Sequence, residues 1–321
     1  MSRILNDIME GVGNSPMVRL NRIGKEFDVE ILAKLEMFEP GGSIKDRIAV
    51  RMVDEAARAG RIRPGDTLIE ATSGNTGIGL ALACAVRGYQ LIICMPKKMS
   101  AEKQNTMEAL GATIVRTRTS AKHDDPDSNF KIAERLQREI PNAHILDQWS
   151  NTDNIDAHYH GTAVEILDQT DGKLDYFVAG AGTGGTLTGV ARRLRDEGVA
   201  VEIVGADPIG SILGGGEGGT PYKVEGIGYD FIPDNLDKSL IHRWIKTDDA
   251  SAFRLARRLI REEGILAGGS SGSAMQAALE VAKSAPSGSR IVVVLPDGIR
   301  NYMSKMMDPV WLKKNGLAGS L

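Results

Sequence analysis

Short apolar runs alternate with longer amphipathic stretches along most of the chain. The runs that we predict as strands are residues 30–38, 67–73, 90–96, 112–117, 144–149, 174–181, 201–208 and 290–298. Between them apolar residues recur at helical spacing, as in IKDRIAVRMVDEAARAG, NTGIGLALACAVRGY and DDASAFRLARRLIREEG. Alternation of this kind predicts an α/β protein with parallel sheets and helices on both faces.

Composition argues against several classes of protein. The chain has 321 residues, enough for one large domain or two of medium size, and its formal net charge of −3 gives no reason to expect binding to nucleic acid or to an anionic membrane. No apolar run approaches the roughly 20 residues of a membrane span. Acidic residues stand where a signal peptide would be apolar. Cys84 and Cys94 lie in apolar segments without a CxxC motif, so we expect buried thiols in a cytoplasmic protein.

Three glycine-rich turns occur where a predicted strand gives way to a helix. They are TSGNTG (72–77), GAGTGGT (180–186) and GGSSGS (268–273). Free backbone N–H groups in such turns can bind anions. The middle turn also fits the dinucleotide-binding pattern G-x-G-x-x-G, with Asp207 at the end of the next strand. An NAD-dependent oxidoreductase is therefore one hypothesis, but it gives no role to the other two turns.

A lysine stands at an unusual position in the stretch EPGGSIKDR (39–47). Ser43 is placed to cap the following helix, and Lys45 falls in the first turn of that helix. A cation there opposes the helix dipole at a cost of about 0.3–1 kcal/mol, which also disfavours the ammonium form and keeps the amine nucleophilic. Pyridoxal phosphate needs such a lysine for its Schiff base, an anion-binding turn for its phosphate and a group near its ring nitrogen.

The motifs PGGSIKDR, EATSGNTGIGLALA, GAGTGGTLTGVAR and GGSSGS together resemble those of the pyridoxal-phosphate β-replacement family of cysteine synthases and cystathionine β-synthases. KVEGIGYDFIP, HILDQWSN and VLPDGIRNYMSK are similar to the catalytic core of the cystathionine β-synthases. The resemblance implies the tryptophan-synthase-β fold, with the active site in the cleft between two α/β domains. The expected domains are a smaller, mobile one (41–150) and a larger one (1–40 and 151–321). It also implies a homodimer; neither haem nor regulatory domains are expected.

The resemblance assigns a set of residues to the cofactor. These are Lys45, Asn75, Gly182, Thr183, Gly184, Gly185, Thr186 and Ser270. Lys45 would form the internal aldimine and act as general base, and Asn75 would hydrogen-bond the cofactor's 3′-oxygen. The turn 182–186 would cradle the phosphate, and Ser270 would face the pyridine nitrogen. A hydroxyl at that nitrogen favours elimination or replacement at Cβ over transamination.

The substrates follow from the same resemblance. The carboxylate of serine or O-acetylserine would be held by Thr72, Ser73, Thr76 and Gln148. Loss of the β-substituent would give an aminoacrylate, to which homocysteine adds in transsulfuration. The alternative acceptor is sulfide, which would make the protein a cysteine synthase, or an enzyme with both activities. Glu225 and Tyr229 are expected to decide the acceptor. A non-enzymatic amino-acid sensor is a further alternative.

Three features have no assigned role in this scheme. His158-x-His160 could ligate a metal, but we expect packing and no metal, because the neighbouring acids are a weak supplement. The glycine-rich stretch 212–222 is a surface loop that serves either as a plain connection or as a lid. Asp230 remains unassigned.

Overall fold

The computed structural model describes residues 4–72, 74–97, 100–118 and 125–320. The chain divides into two compact units: the smaller unit comprises Met1–Gly13 and Glu39–Asn154, and the larger unit comprises Asn14–Phe38 and Ile155–Leu321. The sequence predicts residues 1–40 and 151–321 in the larger unit, but residues 39–40 and 151–154 belong to the smaller one. The segment before Asn14 also groups with the smaller unit, where Arg87 donates a hydrogen bond to Asp7 (2.9 Å).

The secondary structure is α/β, as predicted. The strands are β1 (Met17–Arg19), β2 (Glu30–Leu35), β3 (Thr67–Ala71), β4 (Gln90–Pro96), β5 (Thr113–Thr117), β6 (Ala143–Ile145), β7 (Tyr176–Gly180), β8 (Glu202–Pro208), β9 (Arg243–Thr247) and β10 (Arg290–Leu295). The helices are α1 (Lys45–Arg58), α2 (Asn75–Arg87), α3 (Ala101–Ala109), α4 (Asn129–Glu139), α5 (Asp153–Ala157), α6 (Ala163–Thr170), α7 (Gly185–Asp196), α8 (Asp249–Glu263), α9 (Gly269–Ala282) and α10 (Pro309–Lys314). A π-helical turn, His158–Thr162, joins α5 to α6. Short 3-10 turns are Ile8–Gly11, Glu36–Phe38, Lys238–Leu240, Ile299–Tyr302 and Ala318–Ser320.

Every predicted apolar run overlaps a strand, although only His144 and Ile145 of the run 144–149 belong to β6, and two strands were missed. β1 has only three residues, two of them exposed. β9 reads RWIKT, in which charged residues interrupt the apolar pattern because it lies at the edge of its sheet. In the part of the chain that the structure describes, no helix is both long and apolar enough to cross a membrane.

The larger unit is built on a six-stranded sheet with the order β1-β2-β10-β7-β8-β9. β1 pairs antiparallel with β2, and the other neighbours are parallel. Val178, Val204 and Val293 are fully buried in its core. α9 lies so close to α8 that a Cβ on Gly272 would overlap the backbone oxygen of Ala252. This crossing fixes the first turn of α9, which carries Ser270.

The smaller unit is built on a parallel sheet with the order β5-β4-β3-β6. Its helices α1 and α2 cross at Gly79. A Cβ at that position would lie 2.9 Å from Cβ of Ala49 and 3.0 Å from the backbone oxygen of Lys45. α2 therefore rests directly on the first turn of α1, and glycine is the residue that allows it.

One acidic side chain interrupts the apolar strand β3. Glu70 is 1% exposed and lies between the buried residues Ile69 and Ala71. Its carboxyl group accepts hydrogen bonds from the backbone N–H groups of Asp147 (3.1 Å) and Gln148 (3.2 Å). Burial, with a smaller contribution from the negative charge of Asp147, raises the pKa of Glu70 to about 8. Glu70 therefore retains its proton at neutral pH.

This raised pKa predicts a pH-dependent stability. The folded protein holds a proton that the unfolded chain, with an ordinary pKa of 4.5, releases, so the stability contributed by Glu70 falls as pH rises from 4.5 to about 8. Glu70→Gln cannot ionise. We expect its free energy of unfolding, relative to wild type, to increase across this window by about 2–5 kcal/mol, measured by urea denaturation.

Glu139→Gln is the matched control, because Glu139 lies in the same unit with its side chain 61% exposed. Its stability difference from wild type should stay constant with pH. Parallel pH curves for wild type and Glu70→Gln would contradict the raised pKa.

Candidate functional site

Lys45 is the first residue of α1, as the sequence predicted for the first turn. Ile44 occupies the N-cap position, but the hydroxyl of Ser43 accepts a hydrogen bond from the backbone N–H of Lys45 (3.2 Å). The preceding turn is closed by the buried carboxylate of Asp46, which accepts from the backbone N–H of Gly41 (2.6 Å). A Cβ on Gly41 would lie 2.6 Å from that carboxylate. Glycine is thus required at position 41, in the turn that precedes α1 and places Lys45 at its start.

The TSGNTG turn leads from β3 to α2. The hydroxyl of Thr72 accepts a hydrogen bond from the backbone N–H of Gly74 (3.4 Å), and the hydroxyl of Thr76 donates to Oε1 of Gln148 (2.6 Å). Thr72, Thr76 and Gln148 are all buried. Three of the four residues predicted for the substrate carboxylate are therefore gathered at one end of the sheet, whereas Ser73 lies outside the described residues.

Asn75 follows as the first residue of α2 and is partly exposed. Asn75 begins α2 just as Lys45 begins α1. The two predicted cofactor-binding residues of the smaller unit are thus each the first residue of a helix, and the two helices cross at Gly79.

Lys103 on α3 is a cation that the sequence gave no reason to select. It is 2% exposed, and a Cβ on Gly74 would overlap its Cδ and lie 3.2 Å from its Nζ. Gly74 therefore makes room for a lysine that lies against the TSGNTG turn. An ammonium group beside backbone N–H groups at a helix N-terminus is an environment that suits an anion such as a carboxylate.

In the larger unit, the GAGTGGT turn leads from β7 to α7. A Cβ on Gly182 would lie 2.7 Å from the backbone oxygen of Gly226, and one on Gly184 would lie 2.5 Å from Cα of Leu236. Gly184, with a φ of 90°, is the N-cap of α7. Gly185 and Thr186 begin that helix, whose first-turn N–H groups have no acceptor within the helix. The turn fits a phosphate group because it combines these donors with the helix dipole.

Two hydroxyls accompany this turn, those of the buried residues Thr183 and Thr186. The hydroxyl of Thr186 lies 3.2 Å from Nε2 of His158, whose Nδ1 lies 2.9 Å from the hydroxyl of Thr162. His158 thus orients a hydroxyl of the predicted phosphate turn, a role that sequence reasoning missed. Among the residues described, no group of three or more His, Cys, Asp or Glu side chains could hold a metal ion.

Ser270 lies buried in the first turn of α9, as predicted. The glycines before it have a packing explanation rather than the anion-binding one that the sequence suggested. A Cβ on Gly268 would overlap the carboxylate of Asp297, and one on Gly269 would lie 2.8 Å from the ring of Phe253. Close packing therefore presents the Ser270 hydroxyl at the helix N-terminus.

Glu225 and Tyr229 lie on the segment that also covers Gly182. Glu225 forms an ion pair with Lys305, and their side chains are only 11% and 20% exposed. The backbone N–H of Tyr229 donates to the hydroxyl of Ser211 (3.1 Å). Burial and the charge of Glu225 raise the pKa of Tyr229, which keeps its phenol protonated. The sequence motif RNYMSK contained Lys305 but gave no indication of this pairing.

Asp207, the residue on which the NAD hypothesis depended, is fully buried and engaged. Its carboxylate accepts from Nζ of Lys246 (2.6 Å) and from the backbone N–H of Gly214 (2.8 Å). It therefore anchors the glycine-rich loop 212–222 rather than facing a ribose. Asp230 is exposed and keeps no assigned role.

Comparison with known proteins agrees with this chemistry. The family described as pyridoxal-phosphate dependent enzymes matches residues 8–297. A cystathionine β-synthase from Oryctolagus cuniculus is 56% identical over 98% of this chain, which spans 58% of the rabbit protein's length. An O-acetylserine dependent cystathionine β-synthase from Bacillus subtilis is 43% identical, and the match covers 95% of this chain and 98% of that protein.

Two solved structures of related enzymes are similar to this chain in both fold and sequence. The structure of an O-ureido-L-serine synthase has a TM-score of 0.90 at 35% identity and covers 97% of this chain and 100% of its own. A hydrogen sulfide-producing enzyme from Fusobacterium nucleatum has a TM-score of 0.88 at 37% identity, covering 93% and 98%. By family match and by identity over nearly its whole length, the chain belongs to the pyridoxal-phosphate-dependent enzymes.

Proposed function

We propose that this protein catalyses β-replacement on serine or O-acetylserine with pyridoxal phosphate, and that it is a cystathionine β-synthase whose acceptor is homocysteine. The observation that carries the proposal is the crossing of α1 and α2 at Gly79. It brings the helix that begins with Lys45 against the helix that begins after the TSGNTG turn. A base and a carboxylate-binding turn are thereby built into one unit, as removal of an α-proton from an amino acid requires.

The described residues fit the cofactor. Lys45 and Asn75 would hold its reactive end, the turn 182–186 would bind its phosphate and Ser270 would face its ring nitrogen. Bound pyridoxal phosphate would supply an electron sink for the α-carbon of the amino acid. A serine hydroxyl at the ring nitrogen leaves that nitrogen largely neutral, which favours prompt loss of a β-substituent over transamination.

Residues of the chain itself would bind the substrate and transfer its protons. Thr72, Ser73, Thr76 and Gln148 would hold the carboxylate. The amine of Lys45 would take the proton from Cα, and the β-substituent would leave from Cβ with its bonding electrons. The acceptor thiol would lose its proton as its sulfur forms the new bond to Cβ, and Lys45 would return the first proton to Cα. The thiol proton balances the departing substituent, so serine would release water and O-acetylserine would release acetic acid. No other reagent is needed.

The ion pair of Glu225 with Lys305 supports homocysteine as the acceptor. Homocysteine carries an ammonium group and a carboxylate, and each could take the place of one partner of the pair. Sulfide offers neither group, so a cysteine synthase would have no use for a partly buried pair. Relatives named cystathionine β-synthase, including the one from Bacillus subtilis, favour the same acceptor. The corresponding pathway is transsulfuration.

The proposal also covers the location of the protein, its oligomeric state and its lack of haem. We propose a cytoplasmic homodimer without haem. Cys84 and Cys94 are free and buried, and burial raises the pKa of each thiol to about 12. Neither is therefore suited to supply the thiolate that a haem ligand would need. The dimer rests on the prevalence of two-fold homo-oligomers and is tested by light scattering of the purified protein.

Lys45→Ala tests the proposed reaction. Loss of the base and of the covalent attachment should lower turnover of serine and homocysteine by at least about 10³-fold. Turnover and the visible absorbance of bound cofactor would both be recorded. Lys25→Ala, an exposed lysine, is the control and should match wild type. Activity of Lys45→Ala near the wild-type level would overturn the proposal.

Glu225→Gln and Lys305→Met test the acceptor. Each should raise KM for homocysteine about tenfold or more, because one charge of the zwitterion loses its partner, while KM for sulfide stays within about twofold. The swapped double variant Glu225→Lys with Lys305→Glu should regain stability in urea, but its KM for L-homocysteine should stay high. If the swap also restored that KM, the pair would be structural only.

The control for the swap is the ion pair of Glu280 with Lys283, whose side chains are 47% and 60% exposed in the same unit. Exchanging these two residues should leave both KM values unchanged.

A further inference from the structure

Gln148 forms hydrogen bonds with three buried polar side chains. Its backbone N–H donates to Glu70, 78 positions away in the chain, and its backbone oxygen accepts from the side chain of Asn154 (2.7 Å). Its side-chain oxygen accepts from the hydroxyl of Thr76 (2.6 Å). Glu70, Asn154 and Thr76 are all buried. The orientation of the Gln148 amide is therefore determined by its surroundings rather than by its own flexibility.

Glu70 fixes the backbone on which Gln148 stands. Asp147 adopts a left-handed conformation with a φ of 58°, which is uncommon for a residue other than glycine. In this conformation the N–H groups of Asp147 and Gln148 both reach the carboxyl group of Glu70. The turn after β6 is thereby closed onto the end of β3.

Stability does not explain an acid at this position. Leu68, Ile69 and Ala71, its neighbours on β3, are buried and apolar, as is usual in a parallel sheet. A buried carboxyl group costs free energy that an apolar side chain would not. What Glu70 supplies, and an apolar residue could not, is a pair of acceptors for two adjacent N–H groups.

We propose that Glu70 is a positioning residue that holds Gln148 in the orientation needed to bind the α-carboxylate of the amino-acid donor. This inference rests on the proposed function. The raised pKa of Glu70 is consistent with the role, since a neutral carboxyl group does not repel a carboxylate bound nearby.

The test uses the purified holoenzyme and compares wild type, Glu70→Gln, Gln148→Ala and the double variant. Serine and O-acetylserine are titrated while the visible absorbance of the bound cofactor is followed, and steady-state kinetics are measured in parallel. In Glu70→Gln one of the two N–H groups meets an amide donor instead of an acceptor. We expect serine to bind about tenfold more weakly, kcat to stay within about threefold, and cofactor content to be unchanged.

The double-mutant cycle separates positioning from a general structural effect. If Glu70 acts through Gln148, then adding Glu70→Gln to Gln148→Ala should cause no further loss of serine affinity. Glu70→Gln should also be at least as stable as wild type at pH 8, so that weaker binding cannot be attributed to unfolding. Glu139→Gln again serves as the control.

Each contrary result has a distinct meaning. Unchanged serine affinity in Glu70→Gln, or a loss that adds fully to that of Gln148→Ala, would overturn the positioning role alone. A wild-type holoenzyme whose spectrum responds to neither serine nor O-acetylserine would overturn the proposed function and this inference with it.

Discussion

The packing of α2 on the first turn of α1, at Gly79, is the constraint on which the proposed chemistry of the smaller unit depends. No side chain fits between α2 and the first turn of α1 at this point. The backbone of Lys45 is therefore in contact with the helix that carries Asn75 and Thr76. A lysine at the start of a helix is unfavourable in isolation. Here the packing imposes that position, and the proposed reaction would use the amine of Lys45 as its base.

The same steric principle recurs at two of the glycine-rich turns, with different consequences. At Gly182 and Gly184 it brings the segments around Gly226 and Leu236 against the turn, and the result is a compact group of donors at a helix N-terminus. At Gly268 and Gly269 it brings Asp297 and Phe253 close, and the result is the placement of a single hydroxyl, that of Ser270. A glycine-rich sequence thus indicates that another segment packs closely against the backbone. The surrounding elements determine whether the result is a group of N–H donors or the placement of one side chain.

Residues whose proposed role depends on their own motif could be selected from the sequence, whereas residues that contact a motif from a separate element could not. Lys45, Thr72, Thr76, Thr186 and Ser270 stand in short patterns, and each lies at the turn or helix start where the sequence predicted it, while its role stays a prediction. Lys103, His158 and Lys305 each reach such a motif from a separate element. Their identities follow from helix crossings and loop packing, which periodicity does not encode. The same reason accounts for β9, whose strand character comes from its pairing with β8.

The partly buried pair Glu225–Lys305 and the buried carboxyl group of Glu70 have a cost in stability that the proposed recognition of substrates would explain. Removing both partners of the Glu225–Lys305 pair from water has a desolvation cost that their mutual attraction offsets only partly. In the proposed function, exchange of those partners for the ammonium and carboxylate of homocysteine would leave the number of buried charges balanced, so the desolvation cost would be met before the acceptor binds. Sulfide gains nothing from this arrangement. The neutral carboxyl group of Glu70 also has a desolvation cost. That cost is tolerated because the carboxyl group accepts hydrogen bonds from two backbone N–H groups and so fixes their orientation. In both cases a polar group that lowers the stability of the fold is one that the proposed function would use for recognition.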